Sequence, residues 1–454
     1  MNDVLRAHVY GRALAETMAA ALCAVDPALA VRKALRLESD ALFVGAQRFE
    51  LHPGGRIFIV GGGKAGAPMA WAAYEILGER IAAGIIVVKD GHLGASHHNI
   101  GRIELLEASH PIPCVRGVAA ANRLALLTRN ATENDLVLVL ISGGGSALLT
   151  LPAPGLTLSD IKVLTDTLLR SGASIGEINC LRKHCLLLAG GGLASLAAPA
   201  QAAALIISDV VGSPLDVIAS GPTVPDPTTF EDAWSIVKRY ELEDVLPMAI
   251  TYRLQRGMMG EIPETPKSHN PMWRRVHNTV IASNVTAAEA AIEAAHKRGF
   301  AATLLTTSLE GEAREVGAAV AASKARELVQ NQATLQRPVL VVAGGETTVK
   351  VLGAGLGGRN QELALGAVEG LAGLHNVLLA TLATDGGDGP TNAAGAVVTG
   401  ETYERALALN LHASDFLQRN DAYNFFAPLG ALLLPGPTLT NVNDLLFILV
   451  APPS

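Results

Sequence analysis

The sequence predicts an α/β fold in two domains, built on mostly parallel sheet covered on both faces. Three observations carry this. The β-branched runs are continuously apolar instead of alternating, as strands buried on both sides require. Each run leads into a glycine-rich turn and then an Ala/Leu-rich helical stretch. The chain has 454 residues, enough for two or three domains of about 100–200 residues each, and two fit best.

Taken in order, Arg56–Val60 leads into Gly61–Gly66 and a helix from about Ala67. Leu136–Ser142 runs into Gly143–Ser146, and Ala203–Ser208 into Asp209–Gly212. The stretch from Gly257 to His277 holds Pro263, Pro266 and Pro271 without clear periodicity, and is the best domain boundary. Beyond it come a strand Thr279–Ala282, a helix from Val285 and a strand Ala301–Thr306. Pro338–Ala343 then leads into Gly344–Thr347, and Val377–Thr384 into Asp385–Gly389. The last strand, Leu445–Val450, is open to either sheet. We therefore expect one domain over residues 1–260 and a second over 276–454.

Composition narrows the function. Hydrophobic residues make up 49%, which supplies sizeable cores and excludes disorder. Mean hydropathy is +0.32, but the longest uncharged stretch, Cys185–Ser208, is interrupted by Gly190–Gly192, Pro199 and Gln201, so no membrane span is expected. The net charge is −7, with no basic run and only 4% aromatics, which argues against a nucleic-acid partner. The four cysteines form no C-x-x-C pair, and the start of the chain lacks the basic and apolar regions of a signal peptide. A cytoplasmic protein, monomer or homodimer, is expected.

Polar residues cluster where the parallel strands end, which is where open α/β sheets bind ligands. Gly61-Gly62-Gly63-Lys64-Ala65-Gly66 matches G-x-G-x-x-G, with Asp90 after the next strand, as a Rossmann-like dinucleotide site would have. Gly353, Gly355 and Gly358 match it too, so the pattern alone is weak. Lys64 discriminates: a fixed positive charge in the turn suits a phosphate or carboxylate better than a nicotinamide, although a solvated turn lysine is the plain alternative. Ser142–Ala147 is a second anion cradle, and Leu148 breaks the G-x-S-x-G elbow that would make Ser146 a nucleophile. Asp209 at a strand end could hold Mg²⁺, take a proton, or merely cap a helix.

Further along, Glu177–His184 places Arg182, Lys183 and His184 at the start of a helix, where Arg182 and Lys183 either face an anion or form a solvated basic face, the latter favoured for Lys183. Arg359 opens a helix, where a cation opposes the dipole unless an anion compensates it. Asp385 and Asp388 form a Gly-rich acidic turn that is either a metal or nucleotide contact or an ordinary Asp-Gly turn. Thr438–Asp444 is dense in hydrogen-bonding side chains. The histidines show no metal spacing: His97-His98 reads as a solvated pair, and His110, before Pro111, suits either a polar site or a structural role.

Assembled, these segments resemble the glycerate 2-kinase family, with its glycerate-kinase N-terminal domain and MOFRL C-terminal domain. The resemblance spans about Val4 to Val450. It is carried by GGGKAG (61–66), SHPIP (109–113), ISGGGSALL (141–149), EINCLRKH (177–184), SDVVG (208–212), IASGPTVPDPTT (218–229), GGETTV (344–349), GGRNQELAL (357–365), TDGGDGPTNAAGA (384–396) and TNVNDL (440–445). It implies two α/β domains enclosing an active-site cleft, and ATP-dependent phosphorylation of D-glycerate at its 2-hydroxyl with Mg²⁺. It also implies that Lys64, Arg359 and Asp209 are the catalytic residues.

On that basis Gly62, Gly63, Gly143, Gly144, Gly145, Ser146, Glu346, Thr347 and Asn441 are expected to bind nucleotide or phosphate. Asp209, Asp385 and Asp388 are the expected metal contacts. The chain departs from the family pattern at Cys114, Ser213, Ala422 and Leu439, which bears on substrate choice and metal binding. Two rival functions remain: an NAD(P)H-dependent hydroxypyruvate reductase, resting on Gly61, Gly63, Gly66 and Asp90, and a non-catalytic small-anion-binding protein.

Overall fold

The structure, a computed structural model, describes residues 1–93 and 98–453. His97 of the histidine pair lies outside the described residues, and His98 is exposed. The chain divides into two compact units: a central unit, residues 27–281, and a terminal unit formed by residues 1–26 with 282–454.

The central unit opens with an antiparallel meander of β1 (Leu35–Leu37), β2 (Ala41–Val44) and β3 (Gln47–Glu50). Its main sheet contains β4 (Ile57–Gly62), β5 (Ile81–Lys89), β6 (Asn99–Ile100), β7 (Ile103–Ala108), β8 (Leu136–Ile141), β9 (Gln201–Ile207) and β10 (Val276–Ala282). The spatial order is β10-β9-β8-β4-β5-β7-β6. The pairs β4–β5, β4–β8, β5–β7 and β8–β9 are parallel, and β6 is an antiparallel hairpin partner of β7. Without that hairpin strand the order is the doubly wound 3-2-1-4-5-6, whose direction reverses between β4 and β8. Val60, Val87, Val137 and Val139 are buried with Leu124, Leu148, Leu188 and Leu193 from the covering helices and turns, which explains the unbroken apolar runs.

The terminal unit holds a six-stranded mixed sheet: β11 (Ala301–Leu309), β12 (Val339–Gly345), β13 (Val377–Ala383), β14 (Gly395–Thr399), β15 (Leu432–Leu433) and β16 (Asp444–Val450). The order is β11-β12-β16-β13-β14-β15. Here only β11–β12 is a parallel pair; the last strand enters the middle of this sheet, antiparallel to both β12 and β13.

These units differ from the expected boundaries at two places. The first 26 residues belong with the C-terminal segment. Helix Gly11–Ala24 packs on helix Asn284–Lys297, Asn2 Nδ2 donates to Ala431 O at 2.8 Å, and Thr440 Oγ1 donates to Val25 O at 2.7 Å. The proline-rich stretch is no free linker either. Phe230 N donates to Glu264 Oε1 at 2.8 Å, Asp226 N to Pro266 O at 3.0 Å and Trp273 Nε1 to Lys267 O at 2.7 Å. Its irregular backbone is thereby tied into the central unit, and β10 follows as an edge strand. Among the described residues no single helix is long and apolar enough to cross a membrane.

Candidate active site

In the central unit the strand order reverses between the parallel neighbours β4 and β8, and the two glycine-rich turns meet there. Lys64 N donates to Gly143 O at 2.9 Å, and Ala65 N donates to Ser142 Oγ at 3.0 Å. Helix Gly66–Leu77 starts directly behind Lys64, so its N-terminal amides and dipole face the same end of the sheet. Gly144 has φ +85°, a left-handed conformation that a side chain disfavours, and a Cβ there would press on the His110 ring. A Cβ on Gly143 would run into the Asp209 carboxylate. These two glycines let Asp209 and His110 approach the turn from either side.

Three polar side chains thus converge on Gly143–Gly144 with little to answer them. The Lys64 ammonium has no hydrogen bond or ion pair among the described residues, while its carbonyl is 3.1 Å from His92 Nδ1. Asp209 is half-buried, and desolvation raises its pKa above the ordinary carboxylate value, with its own amide and Lys64 opposing. His110 falls to about 4, first through burial and then through the charges of Lys64, Lys89 and His92, so its imidazole is neutral at physiological pH. Sequence alone could not decide for His110; the signal was its place two residues after the end of β7, beside a Pro.

Ser146 Oγ lies 3.0 Å from Ser220 Oγ, which donates to Asn179 Oδ1 at 3.1 Å. The Gly143–Ser146 turn is therefore braced against helix Ile175–Cys185. That helix begins with a Ser174/Glu177 capping box, so Arg182, Lys183 and His184 lie in its last turn, where the dipole favours cations, and not at its start. Lys183 is not a solvated cation. It is buried, 3.2 Å from Asp216 Oδ2 and 3.4 Å from Asp226 Oδ1. Asp90, the acidic residue of the dinucleotide reading, accepts from Arg116 at 2.9 Å and Ser109 Oγ at 3.2 Å.

In the terminal unit, Arg359 opens helix Arg359–Leu371. The compensating anions come from within the chain: its Nε donates to Asp444 Oδ2 at 2.5 Å and its Nη1 to Glu346 Oε1 at 2.7 Å. Burial works against the guanidinium charge, but Asp444 and Glu346 outweigh it and hold the pKa above its ordinary range. The sequence marks Asp444 only as one of the hydrogen-bonding residues of Thr438–Asp444, not as the partner of Arg359. It stands between the ends of β12 and β13, opposite Gly345 and Ala383, a placement only strand pairing reveals.

Asp388 departs from its expected metal role. Its carboxylate accepts from Asn360 N at 3.1 Å, Gln361 N at 2.8 Å and Gln361 Nε2 at 3.1 Å, capping the helix that carries Arg359. Burial still pushes its pKa up to about 6 against those donors. Asp385 is partly exposed and accepts from Gly387 N at 3.2 Å. Its turn is joined to the Asn441 turn, since Thr384 Oγ1 donates to Asn443 O at 2.6 Å and accepts from Val442 N at 2.9 Å. Thr347 is buried, and Asn441 Oδ1 accepts from Asn443 N at 3.1 Å. Asn420 Oδ1 takes the amides of Leu352 and Gly353 at 2.7 and 2.9 Å, and Asp421 Oδ1 that of Leu356 at 2.9 Å. The Asn420–Tyr423 segment thus holds the loop that leads to Arg359, with the departing residue Ala422 simply buried.

Among the described residues no three His, Cys, Asp or Glu side chains group so as to hold a metal ion. A nucleotide-borne Mg²⁺ needs only one or two carboxylates. The Asp209 carboxylate, with no side-chain hydrogen bond among the described residues, fits that requirement; the fully bonded Asp388 does not.

The combination of a doubly wound unit, glycine-rich turns at its switch point and a second α/β unit defines a two-part α/β protein class. Residues 13–255 match a domain of unknown function (DUF4147), and residues 339–444 match the MOFRL family. A glycerate 2-kinase of Pyrococcus horikoshii is 41% identical over 431 residues, 95% of each chain. The crystal structure of glycerate kinase from Thermotoga maritima shares 40% identity with a TM-score of 0.84, covering 96% of this chain and 99% of that one. A relative in Agrobacterium vitis, 40% identical over 403 residues and 88% of each chain, carries a provisional hydroxypyruvate reductase name. The chain belongs to the glycerate 2-kinase family.

Proposed function

We propose that this protein is a cytoplasmic kinase that transfers the terminal phosphoryl group of ATP to the 2-hydroxyl of D-glycerate. The observation that carries this reading is the convergence of the Lys64 ammonium, unpaired among the described residues, the Asp209 carboxylate and the Gly143–Ser146 turn between β4 and β8. Phosphoryl transfer needs positioning and charge stabilisation more than covalent chemistry, and this group supplies both. Lys64 neutralises the moving phosphoryl group or the substrate carboxylate. The turn amides and the start of helix Gly66–Leu77 hold phosphate oxygens, with Gly62 and Gly63 letting the ligand approach the backbone. Asp209 holds Mg²⁺ or accepts the hydroxyl proton, and its raised pKa suits the second task. Mg²⁺, when bound, neutralises charge on the phosphates. Glu346, Thr347, Asn441 and Asp385 are assigned to nucleotide binding, and Arg359 to the substrate carboxylate or the moving phosphoryl group. Arg359 there acts as part of an ion pair cluster, not as a free cation.

Phosphorus NMR of the protein with ATP, Mg²⁺ and D-glycerate tests this, against a control lacking glycerate. Glycerate-dependent 2-phosphoglycerate is expected. 3-Phosphoglycerate would overturn the assigned hydroxyl. Absence of product, together with NADH oxidation by hydroxypyruvate, would replace the kinase reading with the reductase one.

A further inference from the structure

Helix Ile175–Cys185 carries two adjacent cations with opposite fates. Lys183 is answered by Asp216 and Asp226. Arg182 has no hydrogen bond or ion pair for its guanidinium among the described residues, although only part of it reaches solvent. Burial alone acts on it, pulling its pKa below the ordinary arginine value, and no carboxylate opposes that. A desolvated cation without a partner is costly, and such a local conflict marks a place where a ligand completes the structure.

The position of Arg182 says which ligand. At 100° per residue, Asn179, Arg182 and Lys183 share one stripe of the helix about 100° wide. Asn179 bonds Ser220, and Ser220 meets Ser146 of the phosphate turn. Leu186, directly after the helix, lines a small cavity with Ser146 and Ser220. Arg182 therefore lies on the helix face that braces the turn, one helical turn from Asn179.

We propose that Arg182 is a substrate-binding residue, whose guanidinium holds an oxyanion of the reactants beside the Ser146 turn. The oxyanion is the carboxylate of the acceptor acid or a phosphoryl oxygen of the nucleotide. A planar guanidinium pairs with either in a bidentate fork. The proposal rests on the kinase reading, and its test separates the two.

Arg182→Met and Arg182→Lys are compared with the unaltered protein by steady-state kinetics in both substrates and by thermal melting without ligand. In Arg182→Met, removing an unanswered charge leaves the melting temperature equal or higher. The KM for one substrate rises about 10- to 100-fold, the loss expected for a charge-assisted contact. A rise for D-glycerate assigns the carboxylate; a rise for ATP, or a fall in kcat at unchanged melting temperature, assigns the phosphoryl oxygens. Arg182→Lys, with its charge but no fork, falls between. Unchanged kinetics in both substrates overturns the proposal, and so does a kinetic loss accompanied by a lowered melting temperature. If the unaltered protein makes no phosphoglycerate, the kinase reading fails by itself. The Arg182 proposal is then decided by whether inorganic phosphate raises the melting temperature of the unaltered protein and not of Arg182→Met; equal shifts overturn it.

Discussion

Replacing Lys64 with Met isolates the chemical role of one charge. The backbone of Lys64 holds the turn, through its amide to Gly143 O and its carbonyl facing His92, and Met keeps both. Among the described residues the side chain makes no bond that unfolding would break, so stability should change by no more than about 0.5 kcal/mol, or roughly 2 °C in melting temperature. Turnover should behave differently. Cations on a transferring phosphoryl group are worth about 10³–10⁵-fold. The lower end, ~4 kcal/mol of barrier, is expected because the turn amides and helix start remain. A third readout is local. Lys64 is the second cause, after burial, of the depressed His110 pKa. Removing a like charge favours the protonated ring, so His110 should titrate above its present value of about 4, part of the way to 6.5. Phosphoglycerate production, thermal melting and NMR titration of the His110 ring measure these effects. Turnover within threefold of the unaltered protein, or a His110 pKa that does not move, would refute the geometry argued for this site.

Other substitutions probe the frame around it. Leu439 sits at φ +61°, a left-handed conformation that favours glycine, so Leu439→Gly should stabilise by about 1 kcal/mol in chemical denaturation. Asp388→Ala removes the acceptor for two helix amides and should cost about 2–4 kcal/mol, with weakened activity through Arg359; an unchanged denaturation midpoint would contradict the capping role. His110 stays neutral in the folded protein down to about pH 4 but protonates near 6.5 when unfolded. Its contribution to stability is thus complete above pH 6.5 and lost as pH falls from 6.5 to 4. His110→Gln should show a shallower stability loss across that window, and parallel curves would deny the depressed pKa.

Much of this was legible in the sequence for a simple reason: strand interiors and glycine turns are local. The apolar runs at 57–62, 136–141, 201–207, 339–345 and 377–383 became strands because each is buried on both faces, and the glycines after them sit where backbone must approach backbone. Lys64, the Gly143 turn and Asp209 were visible as chemistry at strand ends, and pairing of β4 with β8 then brought the first two together. Local pattern also misled. Lys183 and Arg182 look alike in sequence, yet one is buried between two carboxylates and the other is unanswered, because Asp216 and Asp226 arrive from elsewhere in the chain.

The elements and the polar residues at their ends follow from local sequence. Helix and strand periodicity, and the glycine requirement of tight turns, depend on near neighbours. Tertiary structure alone decided which distant residues meet. It joined residues 1–26 to the terminal unit and inserted the last strand between β12 and β13, setting Asp444 against Arg359. It turned Asp388 from a candidate ligand into a helix cap. The physical reason is common to all three: buried charges and backbone amides must find partners, and those partners lie tens to hundreds of residues away in the chain.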